Sequence, residues 1–226
     1  MHDNILKTQL DYYRARAQEY DESVHQTGRF AGTPPGDAAV DEEWIEIIRA
    51  LRRLKPGRDT LELACGTGIW TRELLPLSAS LTAIDGAPEM LDATRTKLGD
   101  SVIRYQCADL FAWEPDRAYD LVFFGFWLSH VPPERLDAFL DNVARATQVG
   151  GQVFIVDEPA RGKQLSGASA DGLYQTRQLH DGRRFKIFKV YYDPALIQAE
   201  LAHRGFAEFE SLPGKGFFYL CGTRAR

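Results

Sequence analysis

The sequence predicts an α/β protein built on a doubly wound, mostly parallel sheet. Two observations carry this. Short apolar runs of strand type alternate with amphipathic helical runs between about residues 58 and 157. Strands separated by helices imply right-handed crossovers and a sheet covered on both faces. One run, YDLVFFGF at 119–126, is apolar almost throughout, as a strand buried on both faces requires. The 226 residues suit a single domain with a full-sized core.

Each element has a local reason. Residues 5–20 form an expected helix with Leu6, Leu10, Tyr13 and Ala17 on one face. A loop rich in Gly and Pro follows at 28–36. A second helix is expected over 38–54, with Trp44, Ile47, Ile48 and Leu51 at helical spacing, and Lys55-Pro56-Gly57 ends it. The repeating core comes next. Its expected strands are 60–64, 80–85, 102–107, 119–126 and 152–157, and its helices are about 68–77, 88–98 and 133–147. The last third breaks this rhythm. Runs at 174–179 and 184–192 flank Asp181-Gly182 and read as an inserted β-hairpin near 174–192. A helix at 194–203 precedes a strand pair, 207–212 and 216–221, around Pro213-Gly214.

Composition narrows the partners. A net charge of −5 argues against nucleic acid, whose phosphates demand a surplus of Lys and Arg on one face. No secretory signal is visible at the start, and no run approaches the roughly 18 apolar residues of a membrane helix. A cytoplasmic location is therefore expected, with no membrane partner. Cys65, Cys107 and Cys221 form no CxxC pair and read as buried free thiols, so no metal site is expected.

The chemistry concentrates at strand ends. Gly66 and Gly68, in LELACGTG (61–68), let the backbone pass close to a ligand where a Cβ would collide. In a doubly wound sheet, ligands bind at the carboxyl ends of the strands. Asp85 ends the second strand, where a carboxylate can accept hydrogen bonds from both hydroxyls of a ribose. Asp109 follows the third, where a carboxylate can take the amino group of an adenine. Met90 and Leu110 can pack on the adenine faces.

With these residues the chain resembles the class I S-adenosylmethionine-dependent methyltransferases. The motifs are ELACGTG (62–68), AIDGAPEML (83–91), CADL (107–110), YDLVFFGFWLSHVP (119–132) and VGGQVFIVDEP (149–159). The match covers about 58–160, with a weaker echo from Tyr12 to Asp21. The resemblance implies S-adenosyl-L-methionine (SAM) as cofactor. It also implies a seven-stranded, Rossmann-like sheet whose last strand is antiparallel. Glu62, Ala64, Gly66 and Gly68 would border the methionine part. Asp85 and Gly86 would hold the ribose, with Met90, Ala108, Asp109 and Leu110 around the adenine. Phe124 would lie beside the cofactor, and Tyr20, with Tyr12 or Arg16, would close over it. A nicotinamide-binding fold shares the glycine turn and the second-strand acid, but its third glycine would fall at Thr71. The single domain would then divide into a helical cap (1–57), a cofactor-binding core (58–160), a substrate-side hairpin (161–193) and a C-terminal helix and strand pair (194–226).

Methyl transfer from a sulfonium needs alignment and exclusion of water, and a hydroxyl acceptor must also lose its proton. His130, just past the fourth strand, is the candidate general base; the alternative is a helix-entry His bonded to backbone. The hairpin is expected to form the acceptor wall, with Tyr13, Trp127, Tyr174 and Arg177 as candidate acceptor contacts. Its basic side chains would attract an acidic or electron-rich acceptor; the alternative is an exposed edge strand protected by its charges. The leading reading is transfer to O or N of a small molecule. A protein or tRNA methyltransferase and a non-catalytic SAM-binding module are the alternatives. The Asn-Pro-Pro-Tyr type of tetrapeptide is replaced here by Phe123-Phe124-Gly125-Phe126. The sequence leaves the oligomeric state open.

Overall fold

The computed structural model describes residues 2–25, 38–159 and 172–226. The Gly/Pro loop expected at 28–36 lies outside them. A seven-stranded sheet in the order β3-β2-β1-β4-β5-β9-β8 forms the centre. Its parallel strands are β1 (Arg58–Leu63), β2 (Ser78–Asp85), β3 (Ile103–Cys107), β4 (Tyr119–Gly125) and β5 (Thr147–Asp157). The final strand, β9 (Phe218–Arg224), runs antiparallel between β5 and β8 (Phe206–Pro213), as expected of this fold. The strand order reverses at β1, so a crevice opens where the turns after β1 and β4 diverge.

Alternation along β4 builds two cores. Val122 and Phe124 point to one face and pack with Leu136, Phe139, Leu140 and Val143 of α6 (Pro133–Ala146) and with Ile197 and Leu201 of α7 (Pro194–His203). Leu121 and Phe123 point to the other, against Ile47 and Leu51 of α3 (Ala38–Arg52), Trp70 and Leu74 of α4 (Ile69–Leu74) and Leu91 of α5 (Pro88–Leu98). On this second face three rings from neighbouring strands stack. Phe123 and Phe154 have centroids 5.9 Å apart, and Phe154 and Tyr219 are 5.2 Å apart.

The first expected helix is broken. α1 covers His2–Arg16 and α2 covers Tyr20–His25, with a turn at 17–19 closed by the Glu19 amide donating to the Arg16 carbonyl. The hairpin β6 (Tyr174–Gln178) and β7 (Arg184–Phe188) forms its own two-stranded sheet, with Gly182 at φ +87° in the turn. β7 stops four residues earlier than expected, because the Val190 amide donates to the Ser129 carbonyl (2.7 Å) instead of extending the ladder. The hairpin packs on α1 through two small cores, one with Ile5, Tyr174 and Phe188 and one with Tyr12, Leu179 and Ile187.

Other differences are local. Pro76 ends α4 early, and residues 75–77 form a 3₁₀ turn. Of the three free cysteines Cys65 and Cys221 are buried, but Cys107 is exposed, correcting the expectation of burial. Among the described residues no helix is long and apolar enough to cross a membrane. Phe154→Ala, which empties the middle of the aromatic stack, is expected to cost about 3–5 kcal/mol in chemical denaturation.

Candidate active site

The turn after β1 is built from left-handed residues. Ala64, Gly66 and Gly68 have φ of +55°, +56° and +86°. A Cβ on Gly68 would lie 2.7 Å from Thr94 Cγ2, so this turn packs against α5 only with glycine. A Cβ on Gly66 would meet nothing within 4 Å, and this residue opens onto a cavity.

Asp85 fixes this turn. Its Oδ2 accepts the Gly66 N–H (2.9 Å) and its Oδ1 accepts the Ala87 N–H (2.8 Å). Burial pushes its carboxyl up to about 6 against these hydrogen bonds, which favour the anion. Glu62 lies beneath the turn, nearly inaccessible, and accepts the Thr71 hydroxyl at 2.6 Å. Burial pushes it to about 8, the Thr71 bond opposes, and the charge of Asp85 adds to the rise. After β3 the Ala108 amide donates to the Asp85 carbonyl, and Asp109 Oδ1 accepts the Phe111 N–H (2.9 Å).

The cavity holds about 360 Å³. Ala64, Gly66, Asp85, Gly86, Met90, Asp109, Leu110 and Phe111 line the sheet side. Gly125, Phe126, Trp127 and His130 line the side after β4. Leu6, Gln9, Leu10 and Tyr13 of α1, with Tyr20 of α2, close it from above. Two latches hold these helices down. Arg14 pairs with Glu89 (2.9 Å), and Asp21 takes the Thr67 hydroxyl and the Lys97 ammonium. Arg16 covers the Tyr20 ring at 4.7 Å.

His130 is buried in the wall. Its Nδ1 lies 2.7 Å from the Phe188 carbonyl oxygen and its Nε2 lies 2.7 Å from the Tyr13 hydroxyl. Burial holds it well below its ordinary pKa, and the nearby charges of Lys189, Arg177 and Arg16 add to this. Lys189 is itself buried, donating to Ser129 Oγ (2.8 Å) and pairing with Glu158 (2.8 Å).

The structure brings most of the expected site residues to this cavity: Tyr13, Tyr20, Ala64, Gly66, Asp85, Gly86, Met90, Asp109, Leu110, Trp127 and His130. Others lie elsewhere. Phe124 is fully buried behind the sheet, edge-on to Phe139 at 5.3 Å, because strand alternation turns it away. Glu62, Gly68 and Ala108 support the turns without lining the cavity. Tyr174 is buried in the hairpin core, 4.9 Å from Phe188. Arg177 does not line the cavity, but its charge reaches Tyr13 and His130. Gln9, Phe111 and Arg135 line the cavity without having been expected there; the signal at Gln9 is a lone polar residue one turn from Tyr13 on the apolar stripe of α1.

The residues fit a purine nucleoside carrying a charged sulfur chain. Bare backbone at Gly66, carboxylates at two successive strand ends and apolar flanks at Met90 and Leu110 all face one volume. Each oxygen of Asp85 keeps a further lone pair for a hydroxyl.

Comparison with known proteins agrees. Residues 60–151 match a methyltransferase domain model. Over 96% of this chain and 97% of the other, the fold matches DhpI, solved with SAM and HEP, at 37% identity and a TM-score of 0.78. A malonyl-acyl-carrier-protein O-methyltransferase of Serratia marcescens is 29% identical over 160 residues, 69% of this chain and 57% of that protein. A ubiquinone biosynthesis O-methyltransferase of Xanthomonas axonopodis pv. citri is 28% identical over 181 residues, 78% of this chain and 73% of that protein. Two malonyl-acyl-carrier-protein enzymes are matched over only 28% and 57% of their lengths. The chain belongs to the class I SAM-dependent methyltransferases. It is an enzyme, and its cofactor is SAM.

Glu62 makes a testable contribution to stability. Its folded pKa is raised, so the native protein binds one more proton than the unfolded chain between about pH 4.5 and 8. Its contribution is therefore fully present below pH 4.5 and is lost as pH rises through 8. Glu62→Gln is expected to flatten the fall in stability between about pH 6 and 8, measured by urea unfolding of the ligand-free protein. The slope removed is at most about 1.4 kcal/mol per pH unit.

Proposed function

We propose that the chain transfers the methyl group of SAM to an oxygen or nitrogen of a small, acidic acceptor, with a hydroxyl as the preferred nucleophile. The donor supplies an already activated methyl group, so the protein's tasks are alignment, exclusion of water and removal of a proton. Asp85 would hold the ribose hydroxyls, with Gly86 close behind. Asp109, Met90, Ala108 and Leu110 would surround the adenine, and Ala64 and Gly66 would border the methionine part. Glu62 and Gly68 would act from beneath, by setting the turn. Tyr20, stacked under Arg16, would close the site.

The observation that carries the acceptor reading is the state of His130. Burial, with the charges of Lys189, Arg177 and Arg16, favours its neutral form inside the cavity wall, and Nδ1 is committed to a backbone carbonyl. The remaining nitrogen is the basic one, as a general base requires. The charges of Arg177 and Arg16 reach His130 from outside the cavity lining, while Lys189 is paired with Glu158; the two arginines favour an anionic acceptor. Arg177 Nε is buried and has no hydrogen-bond partner among the described residues. Arg183 pairs with Asp181 on the exposed turn, so we assign the attraction of the acceptor to the charge of Arg177, with Tyr13 and Trp127 as the lining contacts. One cavity of about 360 Å³ runs from the strand-end acids to His130, so donor and acceptor would share it. The N-terminal helices and the hairpin would form the cap and the substrate-side wall of one domain.

The acceptor is identified by incubating the enzyme with methyl-labelled SAM and an extract of its own organism. Label in the low-mass fraction is the expected outcome, and label confined to protein or tRNA would overturn the small-molecule reading. Arg177→Gln is expected to raise the acceptor KM about tenfold or more, while the calorimetric Kd for SAM stays within about twofold. Loss of SAM binding in this variant would contradict the assignment.

A further inference from the structure

The wiring of His130 determines more than its role as a base. A carbonyl oxygen only accepts, so the 2.7 Å contact to Phe188 places the imidazole proton on Nδ1 and a lone pair on Nε2. The Tyr13 hydroxyl, 2.7 Å from Nε2, therefore donates to it. That lone pair is already occupied. A hydroxyl entering the cavity meets the Tyr13 oxygen, which keeps a free lone pair and lines the same volume.

The arrangement is held from three elements. Gln9 of α1, four residues before Tyr13, accepts the Phe188 N–H through Oε1 (3.0 Å) and donates through Nε2 to the His130 carbonyl (3.4 Å). The Tyr13 and His130 rings meet edge to face, with centroids 5.4 Å apart. One side chain thus ties helix, hairpin and the turn after β4 into the geometry of the pair.

Building on the O-methylation reading above, we propose that Tyr13 is the catalytic residue that touches the acceptor and relays its proton to His130. As the acceptor oxygen takes the methyl group, its O–H bond breaks and the proton passes to the Tyr13 oxygen. The proton that Tyr13 held passes to His130 Nε2, leaving a neutral tyrosine and an imidazolium whose Nδ1–H stays on Phe188. The electron pair of the broken methyl bond stays on the donor's sulfur, so charge and atoms balance. The two protons move together. Burial, with Tyr20 and Tyr12 nearby, holds the Tyr13 hydroxyl well above its ordinary pKa, so a standing tyrosinate is unfavourable. Burial is the main cause of the depressed imidazole pKa; an anionic acceptor would offset the smaller part that comes from Lys189, Arg177 and Arg16.

Three measurements test this. The first needs no turnover: ¹⁵N NMR of the ligand-free protein is expected to find His130 protonated at Nδ1, with Nε2 in a hydrogen bond that Tyr13→Phe removes. The second uses the hydroxyl acceptor recovered in the labelling experiment. Tyr13→Phe is expected to lower kcat about 10²–10⁴-fold, with acceptor KM and SAM Kd within about threefold. The wild-type rate in mixed H₂O and D₂O is expected to curve as two moving protons require. A proton found on Nε2, or a Tyr13→Phe kcat within about twofold of wild type, overturns the relay while methyl transfer itself stands. A wild type that binds SAM and holds the Nδ1 proton, yet methylates only nitrogen acceptors, overturns the O-methylation reading and the relay with it. If Tyr13→Phe fails to fold, the wild-type NMR and isotope measurements decide alone.

Discussion

Asp85 holds two turns with one carboxylate, one oxygen on the Gly66 N–H and the other on the Ala87 N–H. The first contact fixes a stretch of left-handed backbone that would otherwise sample many shapes. The second fixes the start of α5, which presents Met90 to the cavity. The Ala108 amide then hangs the next strand end on the Asp85 carbonyl. Three strand ends thus share one registration point, and the floor of the site is set before any ligand arrives. The burial that this requires raises the acid's pKa, which the backbone amides of Ala87, Gly66 and Gly86 partly restrain.

The roof is made differently. α1 and α2 rest on the floor through a small apolar cluster of Ala17, Ala87 and Met90 with Tyr13 and Tyr20, and through the ion pairs Arg14–Glu89 and Lys97–Asp21, which contribute little each. The hairpin is joined to α1 by apolar packing and to the rest by a few backbone bonds, such as Val190 to Ser129. Roof and hairpin therefore form one small packed unit over a rigid base. Tyr13 and Gln9 come from the roof, and His130 comes from the base. The pair of Tyr13 and His130 forms only when the two parts meet.

Much of the floor was legible in the sequence because backbone conformation dictates it. Glycines at 66 and 68, an acid closing β2 and another after β3 leave few alternatives once strands and helices alternate. The sheet was legible for the same reason, in the period of its apolar residues. What escaped depended on distant contacts. Nothing local marks the break at 17–19, where Arg16-Ala17-Gln18-Glu19 are sound helix formers, and Glu19 instead receives the His180 amide from the hairpin. Val190-Tyr191-Tyr192 favour a strand, but the chain there turns to pair with Ser129. The face of β4 occupied by Phe124 depended on register, which an unbroken apolar run leaves undetermined. Tyr13 and His130 are 117 positions apart, and no spacing rule joins them.

The orientation of His130 rests on a main-chain oxygen of β7 and on the main-chain amide that Gln9 holds beside it. Side chains along the hairpin take no part in either bond. Exchanging Thr176 or Arg184 would leave both bonds in place, whereas Arg177 also acts on His130 through its charge. The imidazole's orientation is thus set by main chain, and exposed hairpin side chains are free to vary without disturbing it.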